Sequence, residues 1–525
     1  MHKILQYITP ILVLIFLGGM SSIESQNLIR SDAPTLYLAE LKTITSGKVM
    51  GYLSNRWDHT WRTESGFGGS TLNSTAWGEK RLRKSRLKFF PALEGKGSLN
   101  GDDVNRSGTV LDLAPIVTIV ARYHLPPTGK YSILLWSRFE KHSVVTERSS
   151  YPFGYDFSPR QEPGRTSFQS RDFTWAEYDI GDGGVVLFYP GGTITTAKSN
   201  PIWGPGYTGQ LLFSKKAPSF THISFQHNFS EQWQFSAFHG WLNSGLDDSS
   251  YIAYYGPYGG LPKVRKYIAA HRFDVWLKQN FRVGFGESVI YGSRGVEPAY
   301  LIPFIFTWSS QHDLGDSDNL QMFLDFDWIV KQIARIYGAF YFDEWDFVDT
   351  FTDSSRNWTA WQTGVTLRLP VIKTWLPLFR FEYTRLSPYV YVHRSQVNSR
   401  DHHGHWLGYW SGPNSDCFFT GIDIMPRENW WLQLFYQVAR RGEVNEETIA
   451  TQYNHKKVKF LYKTYPGDVE RRQVLGLKAS GVLNSWLRME FVLSNDDWIQ
   501  HHDQNSNDRV SDQKVDIIVK LIIGL

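Results

Sequence analysis

Asn319-Leu320-Gln321-Met322-Phe323-Leu324-Asp325-Phe326-Asp327-Trp328 reads with a period of two. Leu320, Met322, Leu324, Phe326 and Trp328 fall on one face. Gln321, Asp325 and Asp327 fall on the other, and Phe323 alone breaks the polar series. A helix would repeat its apolar positions every three to four residues, so strict alternation makes this a β-strand. One oily face and one charged face, held for about ten residues, suit a tilted strand that crosses a membrane beside a polar interior.

The pattern recurs on both sides. Phe281, Val283 and Phe285 alternate with Arg282, Gly284 and Gly286, while Leu487, Met489, Phe491 and Leu493 alternate with Arg488, Glu490 and Ser494. The chain ends on another such strand, with Val515, Ile517, Val519, Leu521, Ile523 and Leu525 opposite Asp516, Lys520 and Gly524. Eighteen segments can be placed, from 82–93 through 171–180, 185–190, 281–291 and 319–329 to 486–495 and 514–525. An even count puts both ends of the barrel on one rim, as closure requires.

The connections alternate too. Tight turns are predicted near Pro126 to Gly129, Gly181 to Gly184, Ser230 to Gln232, Lys278 to Asn280, Val330 to Gln332, Val371 to Thr374, Pro426 to Asn429 and Val482 to Ser485. Between them lie nine long polar loops, among them 94–109, 191–220, 242–266, 292–318 and 387–416. Short turns on one rim and long loops on the other are the rhythm of an outer-membrane barrel. An edge strand of a soluble sandwich could explain the last segment but not the whole series. The predicted fold class is therefore all-β: a transmembrane antiparallel β-barrel of about 18 strands over residues 81–525.

Composition agrees. The 525 residues would ordinarily suggest several domains of roughly 150 residues, but one barrel can absorb that length. With 21 Trp, 27 Tyr and 34 Phe, 16% of the chain is aromatic, yet the mean hydropathy is only −0.34. Many rings in a polar background fit interface belts and sugar platforms. A net charge of +4 argues against a nucleic-acid partner. The single Cys417 permits no internal disulfide and no cysteine-cluster metal site.

At the N-terminus, Lys3 and the apolar run from Ile4 to Gly19, then Ser21, Ser22 and Ser25, read as a secretory signal peptide over 1–25. An uncleaved anchor is the alternative. Residues 26–80 fall outside the strand pattern and are expected to form a small periplasmic segment or partial plug, with a short helix around Leu36, Leu38 and Leu41. The exported chain is expected in the bacterial outer membrane, in contact with its lipid and with the insertion machinery that handles such barrels.

Gly204-Pro205-Gly206-Tyr207-Thr208-Gly209 formally matches a dinucleotide fingerprint. It lacks the preceding strand, the following helix and the acidic partner that such a site needs. It reads as a rigid turn, and no cofactor is expected. The wider stretch Pro201-Ile202-Trp203-Gly204-Pro205-Gly206-Tyr207, with Ala217-Pro218 and Phe220, resembles the Wzi capsule-assembly family of outer-membrane proteins. So do Gly284-Phe285-Gly286-Glu287, Val289-Ile290-Tyr291-Gly292, Pro303-Phe304, Asp318-Asn319 and Asp325-Phe326-Asp327-Trp328, in that order. The similarity runs from about residue 180 to the C-terminus. It implies an eighteen-stranded lectin barrel that holds capsular polysaccharide or other exopolysaccharide at the cell surface, with a helical N-terminal plug for which residues 27–80 look short.

Rings stack on sugar C–H faces, and charged or amide groups bond hydroxyls and carboxylates. Candidate sugar contacts in the loops are Trp203, Tyr207, Tyr254, Tyr255, Tyr258, Arg294, Trp406, Tyr409 and Trp410. Interface packing is the competing role for each of them. Arg272, Asp274, Asp325, Asp327, Arg380, Glu382, Asp423, Arg488 and Glu490 are predicted to face inward, as ion pairs of a polar lumen or as carboxylates for glycoside hydrolysis. Glu287 shares a face with Phe285, against the alternation. His402, His403 and His405 share one loop without a metal-binding motif, and no nucleophile or zinc-protease motif is present. Non-enzymatic polysaccharide binding is the leading expectation; an oligosaccharide channel or exporter is the alternative, and an outer-membrane enzyme the third.

Overall fold

The computed structural model describes residues 40–42, 44–46, 48, 55–57, 80–82, 85–102, 108–125, 130–146, 162, 166–170, 174–255, 260–344, 358–369, 375–427, 429–442, 469–484, 487–502 and 509–524. The predicted signal peptide, the turns at 126–129 and 371–374, and Tyr258 lie outside these residues, as does the side chain of Tyr255.

Eighteen antiparallel strands close into one barrel. In chain order they are β1 (Ser85–Asp102), β2 (Gly108–Leu125), β3 (Tyr131–Thr146), β4 (Trp175–Tyr189), β5 (Gly192–Ser199) and β6 (Phe220–Asn228). Next come β7 (Trp233–Asp247), β8 (Lys263–Lys278), β9 (Phe281–Gly292), β10 (Asn319–Val330), β11 (Ala334–Glu344) and β12 (Trp358–Arg368). The circle ends with β13 (Leu378–Leu386), β14 (Ser415–Arg427), β15 (Trp430–Gly442), β16 (Val469–Val482), β17 (Leu487–His502) and β18 (Arg509–Gly524). Each strand pairs with its neighbour in sequence, and β18 closes onto β1 with Ile523 opposite Leu93 and Lys514 opposite Asp102. Closure leaves no edge strand to satisfy, which a bilayer demands.

β10 shows the wall in section. Gln321, Asp325 and Asp327 are fully buried on the inner face, while Leu324 and Trp328 are each 43% exposed on the outer one. Phe323, the break in the alternation, is also on the inner face and is buried. Its ring meets Trp203 at 6.2 Å, so the exception is an apolar contact made inside the barrel.

Two sequence expectations are corrected. Gly181 to Gly184 is not a turn: β4 runs straight through it, pairing Gly181 with Phe139 and Gly184 with Trp136. A Cβ on Gly184 would lie 2.6 Å from that of Ala197, so glycine there serves close strand approach. The chain reverses instead at Pro190-Gly191, where Gly191 has φ +91°. The segments 171–180 and 185–190 are thus one strand, and β5 occupies what reads as loop. The number of strands is unchanged. The first loop is also shorter than 94–109, because β1 and β2 stay paired out to Asn100 and Gly108.

The connections 200–219 and 387–414 do not project outward. Leu211, Leu212, Phe213, Tyr389, Val390, Tyr391 and Leu407 are buried in one cluster with the inward side chains Phe238, Ile268, Ile290 and Tyr341. From the N-terminal side, the helical residues 40–42 and 44–46 place Leu41 and Ile44 against Ile329, Leu378, Met425 and Trp431. The lumen therefore holds its own core.

Candidate functional site

Charges on the inner wall form a belt. Arg282, on β9, donates to Asp274 at 2.5 Å, to Asp325 at 2.6 Å and to Asp327 at 2.9 Å. Arg272 holds Asp274 at 2.6 Å and Asp325 at 3.2 Å. Farther round, Arg335 donates to Asp327 at 2.7 Å, and Arg380 to Asp423. The nine residues expected to face inward all do so: seven are at most 2% exposed, Arg488 is 6% exposed and Glu490 is partly buried. Ion pairing of this kind offsets the cost of burying charge.

Arg335 and Arg380 also hold the two segments that enter the lumen. Glu40 accepts from Arg335 at 2.9 Å, from Thr366 at 2.7 Å and from Arg380. On the opposite side, Arg335 donates to the Pro205 carbonyl at 3.0 Å, and the Arg380 guanidinium lies 4.3 Å from the centroid of the Tyr207 ring. One pair of arginines thus fastens the N-terminal segment and the inward loop.

That fastening accounts for the Gly204–Gly209 turn. Glu382 accepts from the backbone N–H groups of Tyr207 at 2.6 Å and Thr208 at 3.0 Å, and from the Tyr337 hydroxyl at 2.7 Å. The Thr208 hydroxyl donates to the same carboxylate. A Cβ on Gly206 would meet the Gly209 carbonyl at 2.1 Å and Gln362 at 2.2 Å, so no larger residue fits. Gln433 donates to the Tyr207 hydroxyl at 2.6 Å. Arg400, from the second loop, joins everything: it donates to Ser288 at 2.9 Å, to Gln321 at 2.8 Å and to the Leu212 carbonyl at 2.7 Å.

The sugar-contact candidates separate into two groups. Trp203, Tyr409 and Trp410 are buried, and Trp203 meets Phe213 and Phe238 edge-on at 5.4 and 5.2 Å. Tyr207 is committed to Arg380 and Gln433. On the exposed side, Tyr254 is 83% accessible, Trp406 is partly buried, and Arg294 keeps 32% of its side chain accessible while bonded to Asp318 at 2.5 and 2.8 Å. Glu40, Arg335 and Arg400 carry the lumen architecture but were not singled out by sequence. The apolar runs 211–213 and 389–392, inside segments that otherwise read as polar loops, are the signal that could have found it.

His393 and His402 make the second loop acid-sensitive. Burial pushes them down from 6.5 to about 4 and about 3, and the neighbouring His403 and Lys266 add to the effect at His402. His402 Nδ1 accepts from the Asn243 N–H at 2.8 Å, as a neutral ring does. The unfolded loop takes up these protons first, so its stability falls as pH drops below 6.5. The slope is about 1.4 kcal/mol per pH unit for each histidine. Protection factors for hydrogen exchange across 387–414, taken relative to the intrinsic rate at each pH, should fall between pH 7 and 5, and His393→Asn with His402→Asn should flatten that fall. An unchanged response in the double variant would exclude these rings as its source.

The fold and lumen define an outer-membrane β-barrel whose interior, among the described residues, holds the connections 200–219 and 387–414 and the helical residues 40–42 and 44–46. The chain belongs to the Wzi capsule assembly family, since the model for capsule assembly protein Wzi matches residues 188–508. Among solved structures it is similar to the Wzi barrel of Escherichia coli, described as a carbohydrate-binding β-barrel, with 15% identity, TM-score 0.48, and 82% of this chain and 84% of that one covered. It is also similar to OccAB4 of Acinetobacter baumannii, with 6% identity, TM-score 0.44 and coverage of 84% and 98%. OccD3 of Pseudomonas aeruginosa gives 10% identity, TM-score 0.42 and coverage of 86% and 93%. A search of curated proteins gives no match.

Proposed function

We propose that this barrel binds capsular or related extracellular polysaccharide and retains it at the cell surface without covalent chemistry. Membership of a capsule-assembly family supports the general role. The observation that supports retention over passage is the packing of two connections inside the barrel: Trp203, Leu211, Leu212, Val390, Tyr391 and Tyr409 have no exposed surface. The polymer is held on the extracellular surface, by side chains still open to it, and Tyr254, Trp406 and Arg294 are the proposed contacts.

The test is binding of purified, detergent-folded protein to its host's surface polysaccharide. Tyr254→Ala with Trp406→Ala should weaken saturable binding about tenfold, the loss expected from two ring contacts of about 0.7 kcal/mol each. The polymer should be recovered at its original length. Trp203→Ala should lower unfolding stability, because its ring fills the lumen core. Full binding by the surface double variant, or shortened polymer, would contradict the proposal.

A further inference from the structure

The wall carries a second apolar core on its outer side. On β9, Arg282, Ser288 and Ile290 point inward, so Phe285, Glu287, Val289 and Tyr291 share the outer face. Phe285 is 42% exposed, as a lipid-facing residue should be, but Glu287, Val289 and Tyr291 are buried. What covers them is the connection between β9 and β10. Tyr300, at 4% exposure, packs with Tyr267, Ala269, Val289 and Tyr291. The base of the segment is pinned by Asp318, which receives Arg294 and, at 2.8 Å, the Tyr300 hydroxyl.

From that base the chain descends along the wall. Phe304 stacks on Phe235 with centroids 4.3 Å apart. Phe235 opposes Phe273, and Phe273 opposes Phe285, so this row lies midway along β9. Glu287 is out of place on a lipid face, where a charge is costly. Here its carboxylate accepts from the Thr307 hydroxyl and, at 3.1 Å, from the Trp308 N–H. Thr307 is the one polar side chain in Leu301-Ile302-Pro303-Phe304-Ile305-Phe306-Thr307-Trp308, and it is turned to the wall.

The opposite face of the segment is oily and uncovered: Leu301 is 50% exposed, Ile302 54%, Phe304 55%, Phe306 73% and Trp308 54%. A patch of this kind would be costly in water. It stands at the depth of Phe285 and its cross-strand neighbour Leu324, which face the hydrocarbon. We infer that residues 301–308 are a re-entrant, membrane-embedded segment lying against the barrel wall, with Phe304 reaching Phe229 beside the Ser230–Gln232 turn. Its exposed face is occupied by lipid acyl chains, and its inner face shields Glu287 from them. The segment would fix the rotation and tilt of the barrel, much as interfacial aromatic anchors do.

Site-directed spin labelling tests this. Cys417 is buried, so the otherwise unchanged chain serves as the unlabelled control. Labels are placed at Phe306→Cys, with Ile302→Cys as a second site on the same face, in dioleoylphosphatidylcholine bilayers. Leu324→Cys is the lipid reference and Tyr254→Cys the aqueous one. The ratio of collisions with oxygen to collisions with a water-soluble nickel chelate should match the lipid reference and exceed the aqueous one several-fold. A ratio matching Tyr254→Cys would overturn the inference by placing the segment in water. Low accessibility to both reagents would overturn it as well, by placing protein, such as a second copy of this chain, over the face.

Discussion

Glu382→Ala is expected to free the inward loop and open the barrel. The carboxylate receives the N–H groups of Tyr207 and Thr208, the Thr208 hydroxyl and the Tyr337 hydroxyl, all in a buried setting. Each donor left without an acceptor costs about 1–3 kcal/mol. Partial relaxation onto water would leave a net local loss of about 3–5 kcal/mol. The wall itself keeps its ladder, because β13 pairs through backbone groups with β12 and β14. The variant should therefore still insert, while segment 203–213 becomes open to protease and the barrel conducts ions in planar bilayers. Glu382→Gln retains one acceptor oxygen and should fall between. A Glu382→Ala protein as protease-resistant and as silent as the parent would show that the loop is held by its apolar contacts alone.

Arg282→Met carries the other large effect. Its guanidinium is shared among Asp274, Asp325 and Asp327, all fully buried. Methionine fills similar volume but leaves three carboxylates with fewer cations than charges. Breaking a buried ion pair from one side costs about 3–5 kcal/mol, because the surviving charge is uncompensated. Urea unfolding in lipid vesicles should shift accordingly. Adding Asp325→Asn to Arg282→Met should recover part of the loss, since it removes one uncompensated charge. If Arg282→Met unfolds at the parent's urea concentration, the belt contributes nothing to stability.

The wall was legible in the sequence because a strand's two faces meet different media. Leu324 and Asp325 are adjacent in sequence and opposite in environment, and period-two alternation records that directly. The same logic found the inward charges from Arg272 to Glu490 and marked Phe323 and Glu287 as exceptions. Both exceptions prove to be contacts with connections, one inside the barrel and one outside it. The turn at Pro190-Gly191 was missed because Gly181 to Gly184 offered a stronger glycine signal, and glycine serves tight strand approach as readily as reversal.

What the connections do was much less legible. A polar, glycine-rich stretch has the same composition whether it projects into water or folds back into a barrel. Trp203, Tyr409 and Trp410 therefore read as sugar platforms, although each ring is packed in the lumen. Their placement depends on pairings such as Arg400 with Leu212 and Glu382 with Tyr207, separated by 188 and 175 positions. No local pattern encodes such partners. Tyr254 is exposed and Trp406 is partly buried against the lumen cluster, and both stand as proposed contacts.

Retention outside the barrel is tested most directly by sedimenting proteoliposomes with the host's surface polysaccharide. The account predicts that polymer pellets with the vesicles, stays accessible to an added glycan hydrolase, and leaves them impermeable to small sugars. Vesicles that swell rapidly in small sugars while leaving the polymer in the supernatant would contradict it and identify the barrel as a pore.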